Sequence, residues 1–79
     1  GKRMIRLVFD GQSSLEPVVA NICLECHAAV NIMGADTKNI GGKAFGQILL
    51  MLPEDEAALS RIFNYLDTHE LKYEEVSEE

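Results

Sequence analysis

Apolar and polar residues alternate along the first segment of the chain, from Lys2 to Phe9. Successive side chains of a β-strand point to opposite faces of its sheet, so this alternation predicts a strand. Asp10 and Gly11 are expected to end it, because both residues favour turns. The two predicted faces each carry three side chains: Ile5, Leu7 and Phe9 on one, and Met4, Arg6 and Val8 on the other.

The spacing of apolar residues changes to that of a helix after Ser13. Ser13 and Glu16 have the spacing of a capping box, in which each side chain accepts a hydrogen bond from a free backbone N–H. Pro17 falls in the first turn, where a missing N–H is tolerated. The helix is expected to run to about His27. Its predicted buried stripe comprises Leu15, Val18, Val19, Ile22 and Cys26.

A β-hairpin is predicted next. Its first strand runs from Val30 to about Ile40, its turn is Gly41-Gly42, and its second strand runs from Ala44 to Leu52. Gly34 and Asp36 weaken the first of these strands.

The second hairpin strand is apolar on both faces, since Ile48 to Leu52 do not alternate with polar residues. A strand buried on one side only should alternate. Helices in so small a domain can cover one sheet face only. We therefore expect a partner subunit or a ligand to cover the other face.

A second helix is predicted after Pro53. Glu54, Asp55 and Glu56 place negative charge at its start, where the helix dipole favours it. Its buried stripe is Leu59, Ile62, Phe63 and Leu66, and a last strand follows from Leu71 to Val76.

The element order is therefore βαββαβ. With right-handed crossovers, this order gives an α+β, ferredoxin-like fold: a four-stranded antiparallel sheet with both helices on one face. The first and third strands are central in that arrangement, and the second strand lies on an edge.

Composition excludes several classes of function. The 79 residues are enough for one domain, and the net charge of −6 argues against nucleic-acid binding, which clustered Lys and Arg drive. The apolar runs are far shorter than the roughly 20 residues of a membrane helix. The chain begins with Gly1, so we interpret it as a fragment of a larger protein.

Cys23, Cys26 and His27 form a C-x-x-C-H pattern, which is typical of haem attachment. Because both cysteines lie within or beside the apolar stripe of a helix, we interpret them as packing residues. A metal or redox site built on Cys23 and Cys26 is the alternative.

The segment Gly41-Gly42-Lys43 lacks the first glycine and the Ser or Thr of a P-loop, so we interpret it as a hairpin turn. No combination of residues predicts a catalytic centre. Gly34 and Gly46 predict either bulges or points where a ligand or another backbone approaches closely. Asn31 has a carboxamide that could accept from an ammonium group and donate to a carboxylate.

Four segments together resemble the NIL domain, the C-terminal regulatory module of the ATPase subunit of bacterial methionine ABC importers. The family takes its name from an Asn-Ile-Leu triplet, which stands here as Asn31-Ile32-Met33. The four segments are Arg6 to Gly11, Pro17 to Val19, Val30 to Gly34, and Gly42 to Gly46. The resemblance covers about Met4 to Val76. It departs from the family at Met33 and at Glu70, where a helix-ending glycine is common.

This resemblance implies a single ferredoxin-like domain over residues 1–79, itself part of a larger ATPase subunit. It implies a homodimer that binds free L-methionine at its interface and thereby inhibits methionine uptake. It also implies an ABC permease partner, reached through the parent chain, and a location at the cytoplasmic face of the membrane. Methionine contacts are expected from Asn31, Ile32, Met33 and Gly34. Strand position adds Phe45 and Gly46.

Two other hypotheses remain open. One is a dimerisation module without a ligand, and the other is the metal or redox domain built on the two cysteines. No cofactor is predicted for the methionine-binding domain or for the ligand-free dimerisation module.

Overall fold

The computed structural model describes residues 3–14 and 17–76, with side chains described outside 12–14. Strands β1 (Met4–Ser14), β2 (Asn31–Ile40), β3 (Lys43–Met51) and β4 (Lys72–Val76) alternate with helices α1 (Val18–Cys26) and α2 (Glu56–Thr68) in the order β1-α1-β2-β3-α2-β4. All strand pairs are antiparallel, and the spatial order of the sheet is β2-β3-β1-β4. The ferredoxin-like fold is confirmed, with β1 and β3 central and β2 on an edge.

The hydrophobic core lies between the two helices and one face of the sheet. Ile5 and Leu7 of β1 are fully buried there, as predicted from their alternation, and so is Leu50 of β3. Facing them are side chains of the two helices, namely Val18, Ile22, Cys26, Leu59, Ile62, Tyr65 and Leu66. Burying each large side chain stabilises the fold by roughly 1.5–3 kcal/mol.

Strand β1 is longer than predicted. Asp10 and Gly11 do not end it: pairing with β3 is interrupted after Asp10 and resumes where Ser14 lies opposite Lys43. Ser13 therefore belongs to a strand, and its predicted role in starting α1 is wrong. The other half of the capping box, Glu16, lies outside the described residues, as do Lys2 and Leu15.

Helix α1 begins after Pro17, which makes no side-chain capping hydrogen bond. Helix α2 begins as its sequence predicts, because the Asp55 carboxylate accepts a hydrogen bond from the Ala58 backbone N–H at 3.1 Å. Substituting such a cap typically costs about 1 kcal/mol.

The β2–β3 hairpin is confirmed. Gly41 and Gly42 both adopt positive φ, as a two-residue type I′ turn requires. The Gly42 N–H also donates to the Asn39 side chain at 3.1 Å. These residues are thus a turn, as predicted, and not a phosphate-binding loop.

Candidate functional site

The sheet face opposite the helices carries the residues that the core does not use. By register they include Met4, Arg6 and Val8 of β1, Leu49 and Met51 of β3, and Val76 of β4. We call this the open face. Leu49 and Met51 are half-buried among their neighbours, so the predicted apolar second face of β3 is present but only partly exposed.

Strand β2 is the most exposed element of the fold, because all ten of its residues are exposed. Three of them are large and apolar: Ile32 is 56% exposed, Met33 51% and Ile40 59%. One edge of β2 pairs with β3, and the other has no strand beside it within the described residues. That outer edge presents unpaired backbone N–H and C=O groups beside apolar side chains.

The segment Asn31–Gly34 contains a β-bulge. Asn31 lies opposite Met51 and Ile32 opposite Leu50. Leu49, the neighbour of Leu50 in β3, lies opposite Gly34 and not opposite Met33. Met33 is therefore the extra residue. A bulge bends the strand and re-aims side chains, and such irregularities are common beside functional sites. Of the two interpretations of Gly34, the structure supports a bulge, and its extra residue Met33 lies within the triplet that gives the family its name.

A shallow hollow of about 210 Å³ lies on the open face, next to the bulge. It is lined by Arg6, Gly34, Ala35, Asp36, Gln47 and Leu49, which come from the three strands β1, β2 and β3. We call it the open-face hollow. A Cβ atom added at Gly34 would meet nothing within 4 Å, so the glycine leaves this space free. Asn31 lies one row further along the same face.

Phe45 and Gly46 lie away from this group. Gly46 is opposite Thr37, and it is five residues along β3 from Met51, the partner of Asn31. At about 3.4 Å per residue, the separation along the strand is about 17 Å. Within one copy, the structure thus brings together Asn31, Ile32, Met33 and Gly34 but does not bring Phe45 and Gly46 to them.

Gly46 instead marks a close approach of two backbones. Its φ is +118°, and a Cβ atom placed there would lie 1.9 Å from the carbonyl oxygen of Asp36. The Phe45 ring packs against Gly11. Of the two interpretations of Gly46, the structure supports the close approach of another backbone, which is β2 of the same chain.

The two cysteines are free, and Cys26 is 3% exposed within the core. Its thiol lies 3.5 Å from the Arg61 carbonyl oxygen, while the Arg61 Nε–H donates to the Cys26 carbonyl at 2.7 Å. Burial raises the pKa of the Cys26 thiol, although the nearby Arg61 charge opposes the shift. His27 ends α1 in a left-handed conformation. These contacts support a packing role for Cys26.

Sequence analysis did not assign two residues of the open-face hollow, Arg6 and Asp36. The alternation of β1 predicts Arg6 on the face opposite the core, and Asp36 is predicted only to weaken β2. Alternation along each strand gives the face of each residue, but the register across three strands is needed to bring the two together.

The chain belongs to the NIL domain family, which matches residues 3–75. This confirms the resemblance and agrees with the prediction that the chain is not itself an enzyme. It is 33% identical over 76 residues to the methionine import ATP-binding protein MetN of Erwinia pyrifoliae, covering 95% of this chain and 23% of that protein. It is 29% identical over 72 residues to the MetN of Desulfitobacterium hafniense, covering 91% of this chain and 21% of that protein.

A solved structure shares the fold. The C-terminal domain of an ABC transporter ATP-binding protein from Enterococcus faecalis superposes with a TM-score of 0.75, at 23% identity, over 98% of this chain and 86% of that one. The chain spans about a fifth of the length of the curated relatives named above. Among the described residues, no helix is long and apolar enough to cross a membrane.

Proposed function

We propose that this chain is the regulatory domain of an importer ATPase subunit, and that it binds free L-methionine at the interface between two copies. The observation that carries the proposal is the bulged segment Asn31–Gly34, which lies on an unpaired strand edge beside the open-face hollow. Family membership and the names of the relatives support the choice of ligand.

The chemistry of this segment suits a free amino acid. The ligand carries an ammonium group, which needs acceptors, and a carboxylate, which needs donors. An unpaired strand edge offers backbone groups of both kinds, and the Asn31 carboxamide can accept and donate as well. The Met33 thioether and the half-buried Leu49 and Met51 provide polarisable and apolar surface for the ligand's side chain.

Pairing of two copies is supported by the difference between the two edges of the sheet. The β4 edge is short and charged, and three ion pairs tie it to the start of the chain: Arg3–Glu75, Arg6–Glu74 and Lys72–Asp10. Charged side chains protect an edge from pairing. The β2 edge is ten residues long and exposes Ile32, Met33 and Ile40. We propose that a second copy covers the β2 edge.

In the full-length protein, this domain would stand on the cytoplasmic side of the membrane, beside an ATP-binding domain and a permease subunit. Methionine bound between two such domains would favour one arrangement of the ATPase subunits over another, and so inhibit uptake. Such coupling requires the ligand to bind the two arrangements with different affinities.

Calorimetry of the purified chain against free amino acids tests this proposal. L-methionine is expected to bind and to raise the melting temperature, since a ligand that prefers the folded state stabilises it. Asn31→Ala is expected to weaken binding about tenfold or more, the loss typical of one well-placed hydrogen bond to a charged group. Asn64→Ala, at an exposed position on α2, is the matched control and should leave affinity unchanged.

The ligand-free dimerisation module is the second candidate, because the apolar β2 edge favours pairing with or without a ligand. A stable dimer that gives no heat and no thermal shift with millimolar amino acids would favour this second function. It would reject the methionine proposal.

A further inference from the structure

The open-face hollow carries a cation and an anion from different strands, and neither was assigned a role by family or sequence. Arg6 lies on β1 and Asp36 on β2, with Leu49 and Gln47 of β3 between them. At 210 Å³ the hollow is smaller than the roughly 300–1,000 Å³ typical of sites for drug-sized ligands, so it suits a ligand the size of one amino acid.

The Arg6 guanidinium has N–H groups that make no hydrogen bond to the described residues. Its Nη1 donates to the Glu74 carboxylate at 2.5 Å, which fixes the guanidinium group over the open face. A guanidinium has five N–H donors, and the described residues use only this one of them. The side chain is about one-third exposed, so the remaining donors can meet a ligand carboxylate without breaking the Glu74 contact.

Asp36 is exposed, and its carboxylate has no hydrogen bond or ion pair with any described residue. Other carboxylates near this sheet are paired, including Glu74 and Glu75 with arginines of β1 and its start. Gly34 and Asp36 are two residues apart on β2, so they point to the same face. An unpaired anion therefore borders the same small space as the partly free cation.

We propose that Arg6 and Asp36 are the charge-recognising residues of the ligand site: Arg6 binds the carboxylate of a free amino acid and Asp36 binds its ammonium group. This assignment rests on the proposed function. Both groups of a free amino acid are attached to one carbon, so a site selective for it must present both charges to one small space. Leu49 then forms an apolar floor, and Gly34 leaves room above it.

The experiment combines variants with ligand analogues that each lack one charge. Binding of L-methionine, L-methioninol (no carboxylate) and N-acetyl-L-methionine (no ammonium group) is measured by calorimetry. The wild-type chain is expected to prefer L-methionine at least tenfold. Arg6→Met should lower L-methionine affinity at least tenfold but leave the weak binding of L-methioninol unchanged. Arg6→Lys, which keeps the charge, should lose less than Arg6→Met.

Asp36→Asn should show the reciprocal pattern. It should lower the affinity for L-methionine at least tenfold and leave the affinity for N-acetyl-L-methionine unchanged. Lys72→Met removes a cation from the β4 edge and is the control, expected to stay within twofold of wild type. Gly34→Ala adds a methyl group where a Cβ atom meets no protein atom within 4 Å, so it should weaken all three ligands by filling part of the hollow. Sedimentation velocity on each variant separates loss of ligand contacts from loss of the dimer.

The possible outcomes distinguish a failure of the Arg6 and Asp36 assignment from a failure of the proposed function. If wild type binds L-methionine and both charge variants stay within twofold, the assignment of Arg6 and Asp36 is overturned while the proposed function stands. Equal weakening of L-methionine and L-methioninol by Arg6→Met would also overturn it, because Arg6 would then not meet the carboxylate. If wild type binds no methionine at all, both proposals fail.

Discussion

The pairing of β2 with β3 depends on glycine at position 46. A substitution there meets two obstacles, a φ of +118° and a Cβ position 1.9 Å from the Asp36 carbonyl oxygen. A strained backbone conformation costs of order 1–3 kcal/mol, and an added methyl group that forces the backbone to shift costs about as much. Gly46→Ala is therefore expected to lower the free energy of unfolding by about 3 kcal/mol, measured by urea denaturation.

Gly34→Ala is the matched control. Its Cβ meets nothing within 4 Å, so the change should be near neutral or stabilise by up to about 1 kcal/mol, through reduced freedom of the unfolded chain. If Gly46→Ala cost no more than Gly34→Ala, the close approach of β2 and β3 at Gly46 would not exist in solution.

Burial of Cys26 predicts a pH dependence. Its pKa is raised in the folded state, so the neutral thiol is favoured there. That contribution to stability is fully present below the unfolded thiol pKa of about 8.5 and is lost as pH rises towards the higher folded pKa. From pH 7 to pH 10, the wild-type chain should lose more stability than Cys26→Ala does.

Thiol labelling provides an independent check on Cys26. Cys23 is half-buried and should react first, whereas Cys26 should react only as fast as the chain opens. Cys23→Ala serves as the control and should leave the slow labelling of Cys26 unchanged. Rapid labelling of both thiols with retention of zinc would instead revive the metal or redox hypothesis.

The ends of the helices show where local sequence signals succeed and fail. Asp55 was predicted at the start of α2 and forms the cap, because its signal needs only the adjacent backbone. Ser13 has an equally good local pattern, yet it lies in β1, because pairing with β3 resumes at Ser14. Tertiary pairing outweighs a capping preference of about 1 kcal/mol.

Glu70 follows the end of α2, at a position where glycine is common in the family. Its backbone conformation is expected to reduce the stability of the fold. It follows α2 with a φ of +55°, and the next residue's N–H donates to the Leu66 carbonyl at 2.9 Å, as in a glycine-terminated helix. Glu70→Gly is expected to raise the free energy of unfolding by about 0.5–1 kcal/mol, since glycine adopts this conformation without strain.

Thr68→Gly is the control for the end of α2. Thr68 is the last helical residue, so glycine there should destabilise by up to about 1 kcal/mol. A destabilising Glu70→Gly would show that the glutamate side chain makes a compensating contact. Both values come from thermal or urea unfolding.

At the scale of the whole molecule, alternation and helical spacing were enough to predict the sheet order and most of the core. They could not identify Met33 as the extra residue of the bulge or decide between the two interpretations of Gly46, because both depend on the register between β2 and β3. The juxtaposition of Arg6 and Asp36 depends on two registers at once. Positions within strands were therefore predictable, and relations across three strands were not.

The same register information changes where a second copy is expected to dock. The apolar pattern of the sequence predicts a partner over β3. Leu49 and Met51 are already half-buried, however, so a second copy could bury little more of their surface. Ile32 and Ile40 are each more than half exposed and lie near opposite ends of β2. A second copy packed over the β2 edge about a twofold axis would bury both.

The double variant Ile32→Lys/Ile40→Lys tests this interface. Each lysine replaces apolar area that pairing would bury, and charged side chains oppose pairing at an edge. Burial of a large apolar side chain contributes roughly 1.5–3 kcal/mol, so the two changes should raise the dimer dissociation constant at least a hundredfold. Sedimentation velocity measures that constant. Leu24→Lys is the control: Leu24 is 72% exposed on α1, so its substitution should leave the dimer intact. A dimer that survives the double variant would place the interface on the open face, over Val8 and Leu49.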